Sequence, residues 1–263
     1  MITNYAKFRA GVDYYIKEIN AIIHQPSYKE IADVLSGGER QLYVFMNLVT
    51  ITVQDAIDNK RLNENLTETQ IAELTDFSIL LLLLSDKTNN RDFKEMLSLL
   101  FPSADKIEIN LDEEVIMIYY SLNNVDLEGK IDKYNFAVFV EHLRVIFPIL
   151  KNVKGQYLTK GKLANEIKEK ILKGRQKVAE SKKTSDNENI DIFGRYCVIL
   201  SIGKTFRYEE LIGMTIFNLT KLYEAYMHER MYLSYREQAL AGVKDVEPVK
   251  DWICYTDLNI EEE

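Results

Sequence analysis

Proline is scarce in this chain, with four residues among 263. A proline inside a helix removes a backbone hydrogen bond and clashes with the preceding turn, so a chain with few prolines can form long helices. In much of the sequence the apolar residues recur three or four positions apart, which is the period of an amphipathic helix. Together these two features predict a mainly α protein.

Helix-end signals divide the first part of the chain. The predicted helices are one capped by Ser27 and ended by Gly37-Gly38, then Gln41–Asn59, a helix from Thr67 or Thr69 to about Ser85, Asn89–Phe101 and Lys133–Lys151. Ser27 with Glu30 three residues later has the spacing of a capping box. The apolar run Phe77–Leu84 is too short to span a bilayer, which needs about 20 apolar residues, and is predicted to be a buried core helix.

The last part of the chain is also predicted to be helical, over Ile190–Ile202, Tyr208–Met214 and Ile216–Leu240. Thr215 is the expected N-cap of the longest helix, and Gly242 stands where a left-handed C-cap is needed. Two segments have a strand pattern instead. Tyr14–Ile23 is rich in β-branched and aromatic residues, and Lys106–Met117 alternates apolar and polar residues around a turn, which predicts a β hairpin.

Charge is unevenly distributed. The segment Lys151–Thr184 contains eleven Lys and Arg and three Glu, a net charge of +8, whereas the whole chain carries −8, so the remainder carries −16. The small, polar segment Thr184–Asn189 follows and is typical of a hinge. We therefore predict an N-terminal domain (1–158), a basic helix and linker (159–189) and a C-terminal helical unit (190–263). The fold class is mainly α, with a small β hairpin in the N-terminal domain.

No catalytic or metal-binding motif stands out. The two cysteines are too few for a disulfide framework and fit a reducing compartment, and the three histidines are far apart. Cys197 lies in an apolar helix and is expected to be buried. We expect no enzyme activity, no metal and no cofactor. The first residues lack the apolar stretch of a signal peptide, so a cytosolic protein is expected.

The basic helix has three alternative roles. Its charged candidates are Lys168, Lys170, Lys173, Arg175 and Lys177. It could be a solvated linker, dock on an acidic surface of this chain or a partner, or contact nucleic-acid phosphates, which need clustered Lys and Arg. Nucleic acid is the weakest of the three, and single-stranded nucleic acid is disfavoured further because Tyr157 is the only aromatic residue nearby.

The long C-terminal helix has apolar and aromatic residues around most of its circumference, whereas a surface helix normally shows one stripe. Either two of its sides are packed within the chain or one side meets a partner. Tyr, Trp and Met are favoured at interfaces. The candidate partner-binding residues are Tyr223, Tyr226, Met227, Leu233 and Trp252.

Several short motifs resemble a group of proteins encoded in the tail module of tailed phages and prophages of Gram-positive bacteria. They are Lys170–Lys177, Arg195–Ile202, Thr215–Leu219, Leu240–Gly242, Asp251-Trp252, and the segments QPSYKEI and IDKYNFAVFVEHL. Genes of this group tend to lie between those for the tail tube and the tape-measure protein.

This resemblance implies a non-enzymatic tail assembly chaperone in the cytoplasm of the bacterial host. Such a protein binds the tape-measure protein before the tail tube polymerises. The tail-tube protein and a second copy of the chain are further candidate partners. No membrane contact is expected. Two alternatives stay open: a structural component of the tail, baseplate or connector, which would be present in the virion, and a nucleic-acid-binding regulator that uses the basic helix.

Overall fold

The computed structural model describes residues 5–58, 74–122, 125–148, 191–203 and 206–242. The fold is mainly α with two small antiparallel sheets. The described helices are α1 (Tyr5–Ala10), α2 (Tyr28–Val34), α3 (Gly38–Thr50), α4 (Val53–Asp58), α5 (Asp76–Leu84), α6 (Lys87–Leu100), α7 (Phe136–Ile146), α8 (Ile192–Gly203), α9 (Tyr208–Ile212) and α10 (Ile216–Leu240). The described strands are β1 (Tyr14–Ile16), β2 (Ala21–Ile23), β3 (Lys106–Asn110), β4 (Val115–Leu122) and β5 (Val125–Ile131).

Both predicted strand regions form antiparallel pairs. Strands β1 and β2 pair as a hairpin in which Tyr14 stands opposite Ile23. Strands β3 and β4 form the second predicted hairpin, and β5 adds a third strand that the sequence analysis missed. Its alternation of apolar and charged residues is clear, so the signal was present.

The two sheets are joined through the backbone. The backbone N–H of Lys130 donates to the carbonyl of Ile19 at 2.9 Å, and the side-chain amide of Asn20 donates to the backbone carbonyl of Glu128 at 2.7 Å. Between them, a Cβ at Gly129 would lie 3.0 Å from the Ile19 carbonyl oxygen. Glycine therefore permits the close approach of the first hairpin to β5.

The predicted helix Gln41–Asn59 is two helices, because α3 ends at Thr50 and α4 begins at Val53. The reason is local. The Thr52 hydroxyl accepts from the N–H of Asp55 at 3.1 Å, and the Asp55 carboxylate accepts from the N–H of Thr52 at 3.1 Å. This reciprocal pair starts a new helix and competes with continuation of the first.

The leucine-rich helix α5 begins later than predicted. Thr75, rather than Thr67 or Thr69, is its N-cap and accepts from the N–H of Ser78 at 3.1 Å. Thr67 and Thr69 themselves lie outside the described residues. The prediction of a buried core helix is confirmed, since five of the nine side chains of α5 are buried.

Four further helix ends differ from expectation. Helix α2 ends at Val34, before the glycine pair, and Gly38 begins α3 with a φ of +54°. Helix α7 covers Phe136–Ile146 only, because Asp132 and Asn135 form a turn before it and Pro148 follows it.

The predicted capping box at Ser27 and the predicted caps of α10 at Thr215 and Gly242 are confirmed.

One continuous hydrophobic core joins elements from both parts of the described chain. We call residues 5–58, 74–122 and 125–148 the N-terminal body. Phe193, Cys197 and Leu200 of α8 and Phe217 of α10 are buried in the same cluster as the side chains of this body. The predicted boundaries at 158/159 and 189/190 lie outside the described residues, so the three-part division stays a prediction.

Candidate partner-binding surface

Helix α8 is attached to the N-terminal body by a buried carboxylate. The side chain of Glu39, at the start of α3, accepts from the N–H groups of Ile192 and Phe193 at 2.7 and 3.1 Å. Glu39 is 6 % exposed. The first N–H groups of a helix have no partner within it, so Glu39 caps α8 from 153 residues away in the sequence. The negative charge also lies at the positive end of the helix dipole.

Two opposing effects act on Glu39. Burial raises the pKa of its carboxyl above the ordinary value, and the two N–H groups of α8 oppose this change. A second contact lies close by, because the Tyr28 hydroxyl donates to Asp191 at 2.8 Å. Asp191 in turn accepts from the N–H of Gly194 at 3.1 Å, so both carboxylates satisfy the first turn of α8.

The start of α10 is attached to the same body. The N–H of Ile216 donates to the carbonyl of Pro26 at 3.0 Å, and Ser27 forms an isolated antiparallel bridge with Thr215. The ring of Phe217 packs 5.8 Å from the ring of Phe8, measured between centroids. These contacts set the position and direction of the first turns of α10.

Helices α8 and α10 pack on each other. The rings of Tyr196 and Tyr223 are stacked, with centroids 3.8 Å apart and planes 10° apart. At the end of α8, Gly203 lies beneath the phenol of Tyr226, and a Cβ at position 203 would overlap that ring. The pair of helices therefore behaves as one layer, and the position of α10 depends on the docking of α8.

The fully buried residues of α10 are confined to its beginning, whereas Leu222, Tyr223 and Tyr226 pack against the core and stay half-buried. Its buried residues are Ile216, Phe217, Leu219 and Thr220. Residues on the stripe of Ile216 and Thr220 recur at Met227 and Met231, since steps of three or four positions return to the same helix face. Met227 and Met231 are exposed, the latter by 54 %. The face that packs on the core at the start of α10 is thus continued by exposed methionines.

Helix α8 adds a second exposed apolar stripe. Val198 and Ile199 are exposed and Ile202 is 82 % exposed, whereas Cys197 and Leu200 on the opposite face are buried. We call the five side chains Val198, Ile199, Ile202, Met227 and Met231 the C-terminal apolar surface. These side chains lie on two helices that pack on each other, and contiguous exposed apolar surface is typical of protein-binding sites.

The predicted partner-binding residues have different environments. Tyr226 and Leu233 are half-buried and Met227 is exposed, and neither Tyr226 nor Leu233 is enclosed by the core. Tyr223 is half-buried and engaged with Tyr196. Trp252 lies outside the described residues, as do Lys168, Lys170, Lys173, Arg175 and Lys177, so their predicted roles stay predictions.

Four residues of this surface were not singled out from the sequence: Val198, Ile199, Ile202 and Met231. The signal for Met231 was present, because it continues the stripe of Met227. For α8 the sequence shows apolar residues around most of the helix, and only the packed structure separates the face that contacts the core from the exposed face.

The thiol of Cys197 is buried and the imidazole of His142 is half-buried. Burial raises the pKa of the Cys197 thiol to about 11, so it stays protonated near neutral pH, and the prediction of a buried thiol is confirmed. His142 shares a hydrogen bond with the hydroxyl of Tyr14 at 3.0 Å, and burial lowers its pKa. Within the described ranges, no group of three His, Cys, Asp or Glu is placed to hold a metal ion.

The chain matches no protein-family model, no curated protein and no solved structure. None of the helices in the described part of the chain has both the length and the apolar content needed to cross a membrane.

Proposed function

We propose that this chain is a non-enzymatic tail assembly chaperone, acting in the cytoplasm of the bacterial host of a tailed phage. Its partner is the tape-measure protein, which it holds before the tail tube polymerises. The observation that carries the proposal is the stripe of α10 that is buried at Ile216 and Thr220 and exposed at Met227 and Met231. The sequence resemblance supplies the identity of the partner.

The chemistry of the surface suits a helical, apolar partner. Methionine is unbranched and polarisable, so it adapts to partners of varied shape. Met227 and Met231 lie four positions apart on one face of α10, and Ile202 lies on the exposed face of α8. An amphipathic helix recognises such a surface through apolar side chains spaced three or four positions apart.

The attachment of the two helices supports the same proposal. Glu39 caps α8, the Tyr196–Tyr223 stack joins α8 to α10, and the backbone of Pro26 anchors Ile216. The binding surface is therefore presented on a rigid base. A pre-ordered surface loses less conformational entropy when it binds a partner.

The test is co-expression with the tape-measure protein of the encoding phage. The tagged chain should keep the tape-measure protein in the supernatant and co-purify with it. The variant Ile202→Asp/Met231→Asp should lose the complex, because each change places a charge within an apolar contact. Tyr134→Asp is the matched control, since Tyr134 is an exposed apolar side chain on the N-terminal body.

Thermal unfolding of the unmodified chain, the double variant and Tyr134→Asp distinguishes a loss of binding from a loss of folding. The proposal is wrong if the double variant retains the tape-measure protein as well as the control does. Stoichiometric recovery of the chain in purified particles would favour the structural alternative. Recovery of nucleic acid, with affinity falling steeply as salt rises, would favour the regulator.

A further inference from the structure

A groove lies on the N-terminal body between α2, α6 and the turn that joins β3 to β4. It has a volume of about 560 Å³. Its apolar lining comes from Val34, Leu84 and Leu111, two of which are exposed. Its polar lining comes mostly from one face of α6.

The groove is basic on an acidic protein. Lys87, Arg91 and Lys94 occupy positions i, i+4 and i+7 of α6 and therefore share one face, and Glu95 is the acidic side chain of the lining. The lining carries a net charge of +2, while the whole chain carries −8.

Two of these cations form no salt bridge within the described residues, although the pKa of the Glu108 carboxyl is lowered by its hydrogen bond with Lys106 and also by the charge of Lys94. Arg91 pairs with Asp92 at 3.0 Å and lies 4.0 Å from Glu95. In the part of the chain that the structure describes, the ammonium groups of Lys87 and Lys94 have no ion-pair partner. The Glu95 carboxylate is already occupied, because it accepts from Ser36 and Gln41. The groove therefore has unused positive charge beside exposed apolar side chains.

We propose that the groove binds the chain's own acidic segment, residues 243–263. This segment follows α10, lies outside the described residues and contains seven Asp and Glu against two Lys, a net charge of −5. It also contains apolar residues, with Val243, Val246, Val249 and Trp252 recurring every third position. Its charge and its apolar content are thus both complementary to the groove. This inference does not rest on the proposed function.

The segment is long compared with the size of the protein. Its 21 residues span up to roughly 70 Å when extended, whereas a compact chain of this size has a radius of gyration of about 18 Å. Because the segment is tethered at Gly242, its local concentration at the groove is far above that of a free peptide. Its own groove is therefore favoured over the same groove on a second copy.

A disulfide test can locate the segment. Cys254 is in the segment, and the other cysteine, Cys197, is buried. Ser98 is an exposed residue of the groove, so Ser98→Cys should form an intramolecular disulfide with Cys254 under mild oxidation. Ser121→Cys is the matched control, because Ser121 lies at the far end of β4, about 20 Å from the turn beside the groove. Peptide mass spectrometry identifies the bond.

Charge reversal tests whether Lys87 and Lys94 attract the acidic segment. Lys87→Glu/Lys94→Glu in the Ser98→Cys background should slow formation of the disulfide roughly tenfold, because each attraction becomes a repulsion. Lys17→Glu/Lys29→Glu makes the same change in net charge at exposed positions outside the groove and should leave the rate unchanged. Added salt should slow the reaction in the parent protein, since exposed charges are screened.

Trp252 gives an independent measurement, because it is the chain's one tryptophan. Its emission should be blue-shifted relative to a synthetic 243–263 peptide, and the Lys87→Glu/Lys94→Glu protein should approach the peptide's value. The proposal is overturned if position 98 cross-links no faster than position 121. It is equally overturned if the disulfide joins two chains, which would indicate exchange between copies, or if Trp252 emits as in the free peptide.

Discussion

Glu39→Ala should be among the most destabilising single changes at a charged residue of this protein. The carboxylate is 6 % exposed and accepts from the N–H groups of Ile192 and Phe193. The change removes both acceptors at once and leaves the first turn of α8 uncapped within the folded chain. The change removes the polar attachment of α8 to the N-terminal body and leaves the apolar contacts between them in place.

The magnitude follows from the two hydrogen bonds. A hydrogen bond to a charged group contributes about 1.5–3 kcal/mol, and the sum is reduced because the carboxylate no longer has to be desolvated. Desolvation opposes these bonds, because burial raises the pKa of the Glu39 carboxyl. We expect Glu39→Ala to lower the free energy of unfolding by about 2–3 kcal/mol, a large part of the 5–15 kcal/mol of a typical domain. Glu39→Gln keeps the shape and one acceptor and should lose about half as much.

Urea unfolding followed by circular dichroism measures the free energy, and hydrogen exchange measures the docking of α8. The amides of Ile192 and Phe193 should lose protection in Glu39→Ala before those of the N-terminal body. Glu113→Ala, at an exposed turn, is the control and should change stability by less than about 0.5 kcal/mol. A loss of that small size in Glu39→Ala, with the α8 amides still protected, would refute the idea that Glu39 attaches α8.

Three further predictions concern the same region. Thr215→Ala should lower the free energy of unfolding by about 1 kcal/mol, measured by thermal melting, because the hydroxyl caps the N–H of Asn218 at 3.3 Å. Gly203→Ala should lower the free energy of unfolding by about 1–3 kcal/mol and weaken partner binding, since its Cβ would overlap Tyr226. Gly213→Ala is the control, because its Cβ would meet nothing closer than 3.6 Å. Equal stability of the two variants would contradict the prediction. Burial raises the pKa of Glu39 in the folded state. The free energy of unfolding of the wild type minus that of Glu39→Gln should therefore fall as pH rises from about 4.3 through the folded-state pKa. Denaturation at stepped pH measures this difference, and a difference that increases with pH would contradict the prediction.

The ends of several elements could be predicted from the sequence because their causes are local. The capping box of Ser27 and Glu30 and the caps of α10 involve residues within a few positions of each other. Strand β5 was also predictable, because Val125–Ile131 alternates apolar and charged residues, and that alternation was overlooked. The division of Gln41–Asn59 was harder, because Thr52 and Asp55 start a helix within a sequence that otherwise has helical spacing.

Part of the candidate surface could be predicted in the same way. Apolar residues around most of α10 predict that a second side of the helix either packs within the chain or contacts a partner. Met227 is a predicted partner-binding residue for this reason. The exposure of Ile202 and Met231 could not be derived, since it depends on where the N-terminal body ends along each helix. Tyr223 shows the limit of residue type as a guide, because its ring is already stacked on Tyr196.

Three properties of the protein follow from its sequence: it is mainly α, the long helix α10 begins and ends where its caps lie, and this helix has more apolar surface than one stripe requires. These properties follow from spacing and capping within a few residues. The tertiary structure alone decided that Glu39 caps a helix 153 residues away and that the stripe of Ile216 leaves the core before Met227. The reason is that both depend on which distant segments pack together, and local spacing contains no information about that choice.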